Sequence, residues 1–448
     1  MRSFLARRRL WPLLALLAAV GAALVAPGGA SATIGLQCSG EAVTGQGATL
    51  TKIAQLNIWD PDFNTSANAA ACSGTQGSHG TPKVTYDSTA SGAGLESWGV
   101  DSHSATFGVG NAFLDTEIAP STTIKEEIES HGAPDTLLTI PLLQAAVAIP
   151  VHLPANCVAT STGAPGRLVL GNKTLEKIYR GVTTKWSEVT EDGDTLSGTG
   201  CEPASTIKRV VREDGAGSTA VLMKYLYLIY KKAVDGKETW LELAEGTNNT
   251  VWPDEATVLR AKGNSGVVAK VASEASSIGY ADLADTRANG TFSPPKGGPG
   301  TGTFWPEVQD NGTGVKTFKV ADPSTDGDAE AKANANCEAE VYTNGKVKFP
   351  PPSVESTWNE VTTKTTEKHY PICGFAYAVT LDSYHSYAET TEGEATTVEN
   401  LLEFELNAET GGGQQLLNDN DFLGLPTNKK ATQNVLKIAQ EGAAKVTF

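Results

Sequence analysis

The stretch VVREDGAGSTAVLMKYL, residues 210 to 226, sets an arginine and two acids before a glycine-rich bend that leads into an apolar-periodic run. TIKRVVRE predicts a strand that ends near the bend. STAVLMKYLYLIYKK predicts an amphipathic helix with Leu222, Tyr225, Leu226 and Ile229 on its apolar face. A strand, a glycine bend and a helix in this order are typical of a layered α/β fold.

The same stretch has the local chemistry of an anion cradle. Its glycines let the backbone approach a ligand, and the first amides of a helix have no intrahelical partner and lie at the positive end of the dipole. Arg212 offers a planar charged fork that Asp214 could hold in place, and Ser218 and Thr219 add hydroxyl donors. The alternative is an ordinary helix N-cap by Ser218 or Thr219 beside a surface ion pair.

Two further helix openings carry small donors. GQGATL (45–50) places Thr49 before an apolar helix start, and VTYDSTASGAGLESWG (84–99) predicts a strand, a bend at Ser91 and a helix. Each stretch alone also fits a plain glycine-rich turn. Together with the first stretch, they favour an anion held from several sides by amides and hydroxyls.

The rest of the chain alternates between strand-like and helix-like segments, which predicts α/β layers with mostly parallel sheets. Residues 285–369 are rich in Gly, Pro, Thr and Asn, and we interpret them as insertions on the second domain. The predicted strands are LLTIPLLQAAVAIPV (137–151) and YPICGFAYAVTL (370–381). The predicted helices are NKTLEKIYRGVTTKW (172–186, stopping at Gly181), ENLLEFELNAETGGGQQL (399–416) and NVLKIAQEG (434–442). We also predict a helix followed by a strand in NSGVVAKVASEASSIGYADL (264–283) and a hairpin in AEVYTNGKVKF (339–349).

The first 32 residues resemble an export signal, because four arginines precede an apolar run and GGASA supplies small residues for cleavage after Ala32. A transmembrane anchor is the alternative, but the run is short and ends at Pro27. No lipoprotein cleavage box precedes Cys38. We therefore expect an exported protein, periplasmic or at the cell surface, without an evident lipid anchor.

The charge of the chain is strongly negative. Formally it is −16, and loss of residues 1–32 would leave 31 of the 35 basic side chains against 51 acidic ones, a charge of −20. Such a field repels nucleic acid and anionic membranes, so a bound anion must be held by local donors.

Six cysteines in an exported chain suggest disulfides, and we predict that neighbours pair along the chain. A zinc site is the alternative, but no close CxxC or CxxH pair exists, and the histidines are scattered. The predicted pairs are Cys38–Cys72, Cys157–Cys201 and Cys337–Cys373.

The chain resembles the phosphate-binding proteins of phosphate ABC transporters over most of 43–284 and 370–440. The resemblance depends on motifs that occur in the order and approximate spacing found in that family: GQGATL, VTYDSTASGAG, NKTLEKIYRG, VVREDGAGST, NSGVVAKVASEASSIGYADL and YPICGFAYAVTL. The resemblance implies a two-lobed periplasmic-binding-protein type II fold of the α/β class, with mixed, mostly parallel sheets and helices on both faces. The ligand cleft would lie between the lobes, which crossing strands join. We place the signal peptide at 1–32, lobe I at 33–143 plus 372–448, and lobe II at 144–371.

The resemblance also implies a ligand set. The family's threonine and following amide fall on Thr49 and Leu50, and its glycine-bend serine falls on Ser91. Its arginine and supporting aspartate fall on Arg212 and Asp214. Its helix-mouth glycine and hydroxyl fall on Gly217 and Ser218.

Two positions depart from the family pattern. Asn111 stands where the family has an aspartate after FG, and Ala216 stands where it has a serine. A carboxylate accepts the proton that phosphate keeps near neutral pH and repels fully ionised sulfate, whereas an amide does not repel it. Asp115 or Asp87 are the alternative acceptors.

The sequence favours a solute-binding protein that captures inorganic phosphate or a related oxyanion and delivers it to an ABC permease. We expect a monomer that is not an enzyme and uses no cofactor and no metal. The alternative is a secreted interaction or adhesion protein on the same fold with weakened or lost anion binding. A phosphohydrolase is a third possibility, but the sequence offers no metal cluster and no nucleophile–base pair.

Overall fold

The long apolar run that starts at residue 137 forms the spine of the molecule. In the computed structural model of the chain, it is the strand β4 (Leu137–Ala148), and all twelve of its residues are buried. A continuous run of apolar residues forms such a strand where both faces of a sheet are covered.

The described part of the chain belongs to one compact unit, Ile34–Phe448. The structure describes residues 39–67, 81–100, 112–130, 137–161, 168–189, 194–202, 205–293, 301–312, 319–324, 337, 349–350, 358, 367, 369–385, 390–417, 420–428 and 434–448.

Two larger sheets and two small ones contain all the named strands. The strands are β1 (Ala42–Gly47), β2 (Lys83–Asp87), β3 (Phe113–Thr116), β4, β5 (Val151–His152), β6 (Val158–Ser161), β7 (Val169–Leu170), β8 (Asp194–Ser197), β9 (Lys208–Arg212), β10 (Val258–Ala261), β11 (Ser277–Gly279), β12 (Ala281–Asp282), β13 (Thr303–Phe304), β14 (Glu307–Gln309), β15 (Val320–Ala321), β16 (Cys373–Leu381) and β17 (Phe422–Leu423).

The first sheet has the order β12-β4-β16-β3-β1-β2, with β17 also paired to β4, and it defines the first lobe. The second sheet has the order β10-β9-β11-β5-β13 and defines the second lobe. The small sheets are β15-β14-β7 and β6-β8.

Both larger sheets are mixed, as expected, although antiparallel pairs outnumber parallel pairs among their described strands. Strands β1, β2 and β3 pair in parallel, as do β9, β10 and β11. The pairs made by β4, β16, β5 and β13 are antiparallel. The parallel strands are those that lead into the helices around the site, whereas β4 and β16 run between the lobes.

Helices cover these sheets, and the sequence periodicity predicted four of them. The α-helices are α1 (Lys52–Ala54), α2 (Asp60–Ala67), α3 (Ser91–Leu95), α4 (Thr122–Ser130), α5 (Asn172–Tyr179), α6 (Gly217–Ile229), α7 (Trp240–Ala244), α8 (Gly263–Ser273), α9 (Leu283–Ala288), α10 (Glu392–Glu405), α11 (Gly413–Leu416) and α12 (Val435–Ala443). The periodicity at 172–181, 218–232, 264–273 and 434–442 predicted α5, α6, α8 and α12. The segments Gln55–Trp59 and Glu96–Val100 are π-helical, and three short 3₁₀ turns are Trp186–Glu188, Thr199–Cys201 and Glu255–Thr257.

Each lobe has its own hydrophobic core. Strand β4 contributes to the first core up to Ala145 and to the second from Ala146 onward. Strand β16 does the same, with Cys373 in the second core and Phe375 in the first. Both strands therefore cross between the lobes, as the resemblance implied.

Two aromatic residues from the insertion-rich stretch pack in the first core rather than the second. They are Phe349 and Trp358, and their rings stack 6.1 Å apart. The chain passes between the two cores more than once, at β4 and at β16. The lobe boundaries at 143/144 and 371/372 remain a prediction.

Two predicted disulfides are confirmed, Cys157–Cys201 and Cys337–Cys373. Both partners of the third predicted pair, Cys38 and Cys72, lie outside the described residues, as do the predicted signal peptide and all but the last residue of the hairpin at 339–349. Within the described ranges, the chain contains no helix that is both long and apolar enough to span a membrane.

Candidate functional site

The site begins where β9 ends. This strand lies between β10 and β11 in the second sheet, and Arg212 is its last residue. The chain then bends, and α6 begins at Gly217 with Ala216 as its N-cap and no side-chain cap. The start of α6 therefore lies beside the Arg212 side chain, which donates to the Ser218 hydroxyl.

The buried guanidinium of Arg212 donates hydrogen bonds to four side chains. Its Nε and Nη2 donate to the two carboxylate oxygens of Asp214 at 2.7 and 2.5 Å. Its Nη1 donates to Thr49 Oγ1 at 3.0 Å, Ser218 Oγ at 3.2 Å and Asn264 Oδ1 at 3.1 Å. Arg212 is only 1% exposed, so Asp214 fixes the fork while the remaining nitrogen faces the site.

The pKa of Asp214 reflects this ion pair. Burial acts to raise the pKa, but the hydrogen bonds and charge of Arg212 and the amide of Gly263 outweigh it, and the pKa lies below its ordinary value. Asp214 therefore remains ionised and holds Arg212 in one orientation.

The first lobe contributes the other half of the site. Thr49 and Leu50 follow β1, and Ser91 is the first residue of α3. Ala90 before it has φ 109°, a backbone conformation that residues other than glycine rarely adopt. The amide of Gly92 donates to the carbonyl of Gly215 at 3.0 Å, so the two lobes are in direct contact beside the site.

A carboxylate that the sequence analysis missed lies among these donors. Glu117 follows β3 and is 5% exposed. The hydroxyl of Ser91 donates to its Oε2, while its Oε1 has no hydrogen-bond partner among the described residues. A β-carbon built on Gly217 would come within 1.8 Å of Oε2, so the carboxylate sits directly against the start of α6.

The pKa of Glu117 is raised, chiefly because burial disfavours its charged form. The Ser91 hydroxyl, the amides of Glu117 and Leu50, and the charge of Arg212 act in the opposite direction. Every donor that lowers this pKa, apart from the residue's own amide, belongs to the ligand set implied by the resemblance.

The residues that the sequence suggested as acceptors for the proton of phosphate do not lie beside Ser91 and Arg212 in the described part of the chain. Asn111 lies outside the described residues. Asp115 is fully buried in the first lobe, where its Oδ2 accepts from Gln55 Nε2 at 2.8 Å, and Asp87 is exposed at the end of β2. The carboxylate next to Ser91 is that of Glu117.

Asn264 is a second residue that the sequence reasoning missed. It lies in the first turn of α8 and is fully buried, and its Oδ1 accepts from Arg212 and from Ser218 Oγ at 2.9 Å. Its Nδ2 has no hydrogen-bond partner in the part of the chain that the structure describes. The signal was present in the sequence as a fourth glycine-containing helix opening, GNSG, which followed the same pattern as the other three.

Ser218, Thr219 and Ala216 complete the description of α6. The Thr219 hydroxyl contacts Tyr280 Oη at 2.7 Å, and the same oxygen accepts from the backbone amide of Arg212 at 3.1 Å, so Thr219 faces the backbone of β9 rather than the guanidinium. Asn249 brackets Ala216, accepting from its amide and donating to its carbonyl, both at 2.8 Å. A side-chain amide thus holds the bend where the family pattern has a serine.

Acidic groups surround the positive centre. Asp282 in β12 is fully buried, and its pKa lies well above the ordinary value because of burial and then the charge of Asp285, with a smaller contribution from Glu117. Burial also raises the pKa of Asp285, against the charges of Lys52 and Arg212. The site therefore combines directed donors with nearby carboxyl groups that favour protonation.

The arrangement can bind a small anion through hydroxyl groups, helix-start amides and one guanidinium. Within the described ranges, no group of three or more His, Cys, Asp or Glu residues is arranged to hold a metal ion.

Comparison with known proteins identifies the family. A model described as a PBP superfamily domain matches residues 69–404, which is most of the chain. The chain belongs to the PBP superfamily. PBP-superfamily membership agrees with the two lobes, the crossing strands and the placement of the site between them.

Solved structures share this fold at low sequence identity. A phosphate-binding protein from Stenotrophomonas maltophilia has a TM-score of 0.56 and 16% identity, with 90% of this chain and 93% of that chain covered. A high-affinity periplasmic phosphate-binding protein bound with phosphate, PfluDING, has a TM-score of 0.54 and 16% identity, covering 91% and 99%. An ancestral soluble variant of the human phosphate-binding protein has a TM-score of 0.55 and 17% identity, covering 90% and 98%. At these identities the likeness concerns the fold alone.

Proposed function

We propose that this PBP-superfamily protein captures inorganic phosphate, or a closely related oxyanion, between its two lobes. The observation that carries the proposal is the convergence on Arg212 of Thr49 from the first lobe and of Ser218 and Asn264 from the second. No single segment supplies this set, and the groups that accept hydrogen bonds from Arg212 come from both lobes.

Two buried atoms without partners support an oxyanion that also carries a proton. Asn264 Nδ2 is a donor and Glu117 Oε1 is an acceptor, and neither has a hydrogen-bond partner among the described residues. An unpartnered buried polar atom costs about 1–3 kcal/mol, so a ligand that satisfies both gains by binding. Hydrogen phosphate has oxygens that accept and a hydroxyl that donates, whereas sulfate near neutral pH has only acceptors.

The test is calorimetric titration of phosphate and of sulfate into protein freed of bound anions by unfolding, dialysis and refolding. We expect phosphate to bind more tightly than sulfate. Arg212→Lys should weaken phosphate binding by about 10- to 100-fold, because an ammonium cannot reproduce the planar fork that Asp214 aligns.

Arg209 provides the matched control on the same strand. It is equally buried, but it donates to the carbonyl oxygens of Tyr179, Pro253 and Asp254 and to Thr257 Oγ1, away from the site. Arg209→Lys should lower the stability of the second lobe and leave the dissociation constant unchanged. Absence of heat with either anion in the folded wild type would refute the proposal.

The cellular role follows from the same proposal. The arginine-rich, apolar N terminus and the two disulfides support export, and the superfamily supports delivery of the captured anion to a membrane ABC permease. We infer a monomer that acts without a cofactor and without catalysis. Phosphate uptake by cells that lack this chain, with and without its restoration, tests this role.

One observation favours the second candidate, a secreted interaction protein with weakened anion binding. The chain's own Glu117 already accepts the Ser91 hydrogen bond and lies against the start of α6. Phosphate and sulfate binding weaker than millimolar in the wild type, together with normal folding, would support this candidate over transport.

A further inference from the structure

Three buried acids lie together in the first lobe, and we call them the acid cluster. They are Asp60 at the start of α2, Asp115 in β3 and Glu405 at the end of α10. Asp60 is the most exposed of the three, at 5%. The side-chain amide of Gln55 lies between the other two, because its Nε2 donates to Asp115 Oδ2 at 2.8 Å and to Glu405 Oε1 at 2.9 Å.

The acid cluster has more hydrogen-bond acceptors than donors. Both carboxylate oxygens of Asp60, Oδ1 of Asp115 and Oε1 of Gln55 have no hydrogen-bond partner among the described residues. Buried polar oxygens are costly unless a donor reaches them. A protonated carboxyl group is a donor, so protons held and shared by these acids supply what the surrounding side chains do not.

The pKa shifts of the three acids agree with shared protons. Burial and then the charge of Asp115 raise the pKa of Asp60 to about 7. Burial raises the pKa of Asp115 to about 7 as well, against hydrogen bonds from Gln55 and Thr51. The pKa of Glu405 lies well above its ordinary value because of burial and then the charge of Asp115. The acid cluster therefore loses protons as the pH rises through about 7.

The groups that face the acid cluster are themselves acidic or phenolic. Glu117 acts on the pKa of Asp115, and Asp115 and Asp60 both act on that of Tyr86 in β2. Among the described residues, no lysine or arginine is one of the groups that shift the pKa of the three acids. Loss of protons therefore places negative charges side by side without a nearby positive charge.

Asp115 connects the acid cluster to residues 48–51, the loop that follows β1. Its carbonyl accepts from the amide of Ala48 at 2.9 Å, and its carboxylate has the Thr51 hydroxyl as a hydrogen-bond partner. Tyr86 Oη donates to the Ala48 carbonyl at 2.9 Å and contacts Thr51 Oγ1 at 3.1 Å. Both ends of the loop are therefore tied to Asp115.

The two residues between these ends reach the site. Thr49 Oγ1 accepts from Arg212 Nη1 at 3.0 Å, and the amide of Leu50 acts on Glu117. Repulsion between Asp115 and its acidic neighbours acts on the atoms that hold this loop. The position of Thr49 and Leu50 thus depends on whether the acid cluster keeps its protons.

We propose that the acid cluster is a proton-dependent support, which positions Thr49 and Leu50 for the anion while it shares protons and lets the loop 48–51 loosen once they are lost. This deepens the proposed function and rests on it for the identity of the anion. The three acids are positioning residues, since they act on the anion through the loop. Anion binding therefore weakens as the pH rises through the range in which the acids ionise.

The test uses Asp60→Asn, which has the shape of a protonated carboxyl group and cannot ionise, with Asp62→Asn as the matched control. Asp62 lies in the same helix and is exposed, so the control removes an equal charge from the surface. The dissociation constant of phosphate is measured by calorimetry on the full chain between about pH 5.5 and 8.5. Dividing the wild-type value by that of the variant at each pH cancels the titration of phosphate itself.

We expect this ratio to rise by about fivefold or more from the acidic to the alkaline end for Asp60→Asn, because a growing fraction of the wild type has a loosened loop. The ratio for Asp62→Asn should stay constant. Hydrogen exchange of the backbone amides of residues 48–54 is measured without added anion. At alkaline pH it should be faster in the wild type than in Asp60→Asn.

The proposal is overturned if phosphate binds and the ratio for Asp60→Asn is as constant as that for Asp62→Asn, or if amide exchange in 48–54 is equal in the wild type and Asp60→Asn at alkaline pH. If no protein binds phosphate at any pH but the exchange differs as expected, the acid cluster stands and the proposed anion capture fails. Should Asp60→Asn not fold, Asp115→Asn removes the central charge at the same shape, and the same rise in the ratio is expected.

Discussion

The variant Gly92→Ala tests whether contact between the two lobes at this residue is needed for anion binding. A β-carbon at this position would lie 2.0 Å from the carbonyl oxygen of Thr247 and 3.1 Å from that of Gly215. Carbon–oxygen contacts normally lie at about 3.3–3.6 Å, so Gly92→Ala must push the lobes apart locally by more than about 1 Å. That shift breaks the Gly92–Gly215 hydrogen bond and stretches the 3.0 Å bond from Arg212 to Thr49 beyond bonding distance.

The magnitude follows from the two bonds that are lost. A neutral backbone hydrogen bond contributes about 1 kcal/mol and one to a charged group about 1.5–3 kcal/mol. Together they amount to about 2.5–4 kcal/mol in favour of the closed arrangement, which corresponds to a loss of about 100-fold or more in the affinity of an anion that binds only between closed lobes.

Calorimetry with phosphate and small-angle scattering measure the two consequences together. Gly266→Ala in α8 is the control, because its added carbon would meet its nearest neighbour at an ordinary 3.8 Å. An unchanged dissociation constant and unchanged scattering in Gly92→Ala would show that closure at this contact does not govern binding.

Three further predictions concern stability and the site. Asp60 and Asp115 have their pKa raised to about 7, chiefly by burial, with the charge of Asp115 adding to the shift at Asp60. Protonation therefore stabilises the fold fully below the ordinary pKa near 4, and this contribution is lost as the pH rises through about 7. Urea denaturation should give a free energy of unfolding a few kcal/mol lower at pH 8.5 than at pH 5, and a flat profile would contradict the shifts. Replacing Cys157 and Cys201 together by serine opens a loop with a sequence separation of 44 and should cost up to about 4 kcal/mol in the same assay, whereas an unchanged midpoint would show that the loop is ordered without its bridge. Asn264→Asp keeps the acceptor oxygen but removes the Nδ2 donor and adds a negative charge, so phosphate affinity measured by calorimetry should fall at least about tenfold with little change in melting temperature; equal affinity would remove this residue from the ligand set.

Much of the fold was predictable because it is local. The apolar period of residues 218–232 corresponds to α6, and the nearly continuous apolar run from 137 corresponds to β4. Cysteines that are neighbours in the sequence formed the two described bridges, with sequence separations of 44 and 36, since closing these loops costs less chain entropy than joining more distant cysteines would. Four tryptophans that lie within or beside apolar segments are buried: Trp98, Trp186, Trp240 and Trp252.

The direction in which each strand pairs with its neighbour was not predictable from the same patterns. Periodicity indicates that a segment is a strand, but it does not give the direction of the neighbour with which the strand pairs. Strands β4 and β16 lie side by side although more than 200 residues separate them, and their antiparallel pairing depends on the whole chain path.

By itself, the sequence determined that Arg212, a glycine bend and a helix start would lie together, since six consecutive residues contain all three features. Only the tertiary structure decided which carboxylate faces them. Glu117 lies 95 positions from Arg212 and follows a different strand, in a stretch with no pattern that distinguishes it from Asp115. Asp115 lies within β3 and is buried inside the first lobe, whereas Glu117 lies just beyond the end of that strand, where the two lobes meet. No local pattern contains that information, because two residues that are two positions apart would share one face of a continuous strand.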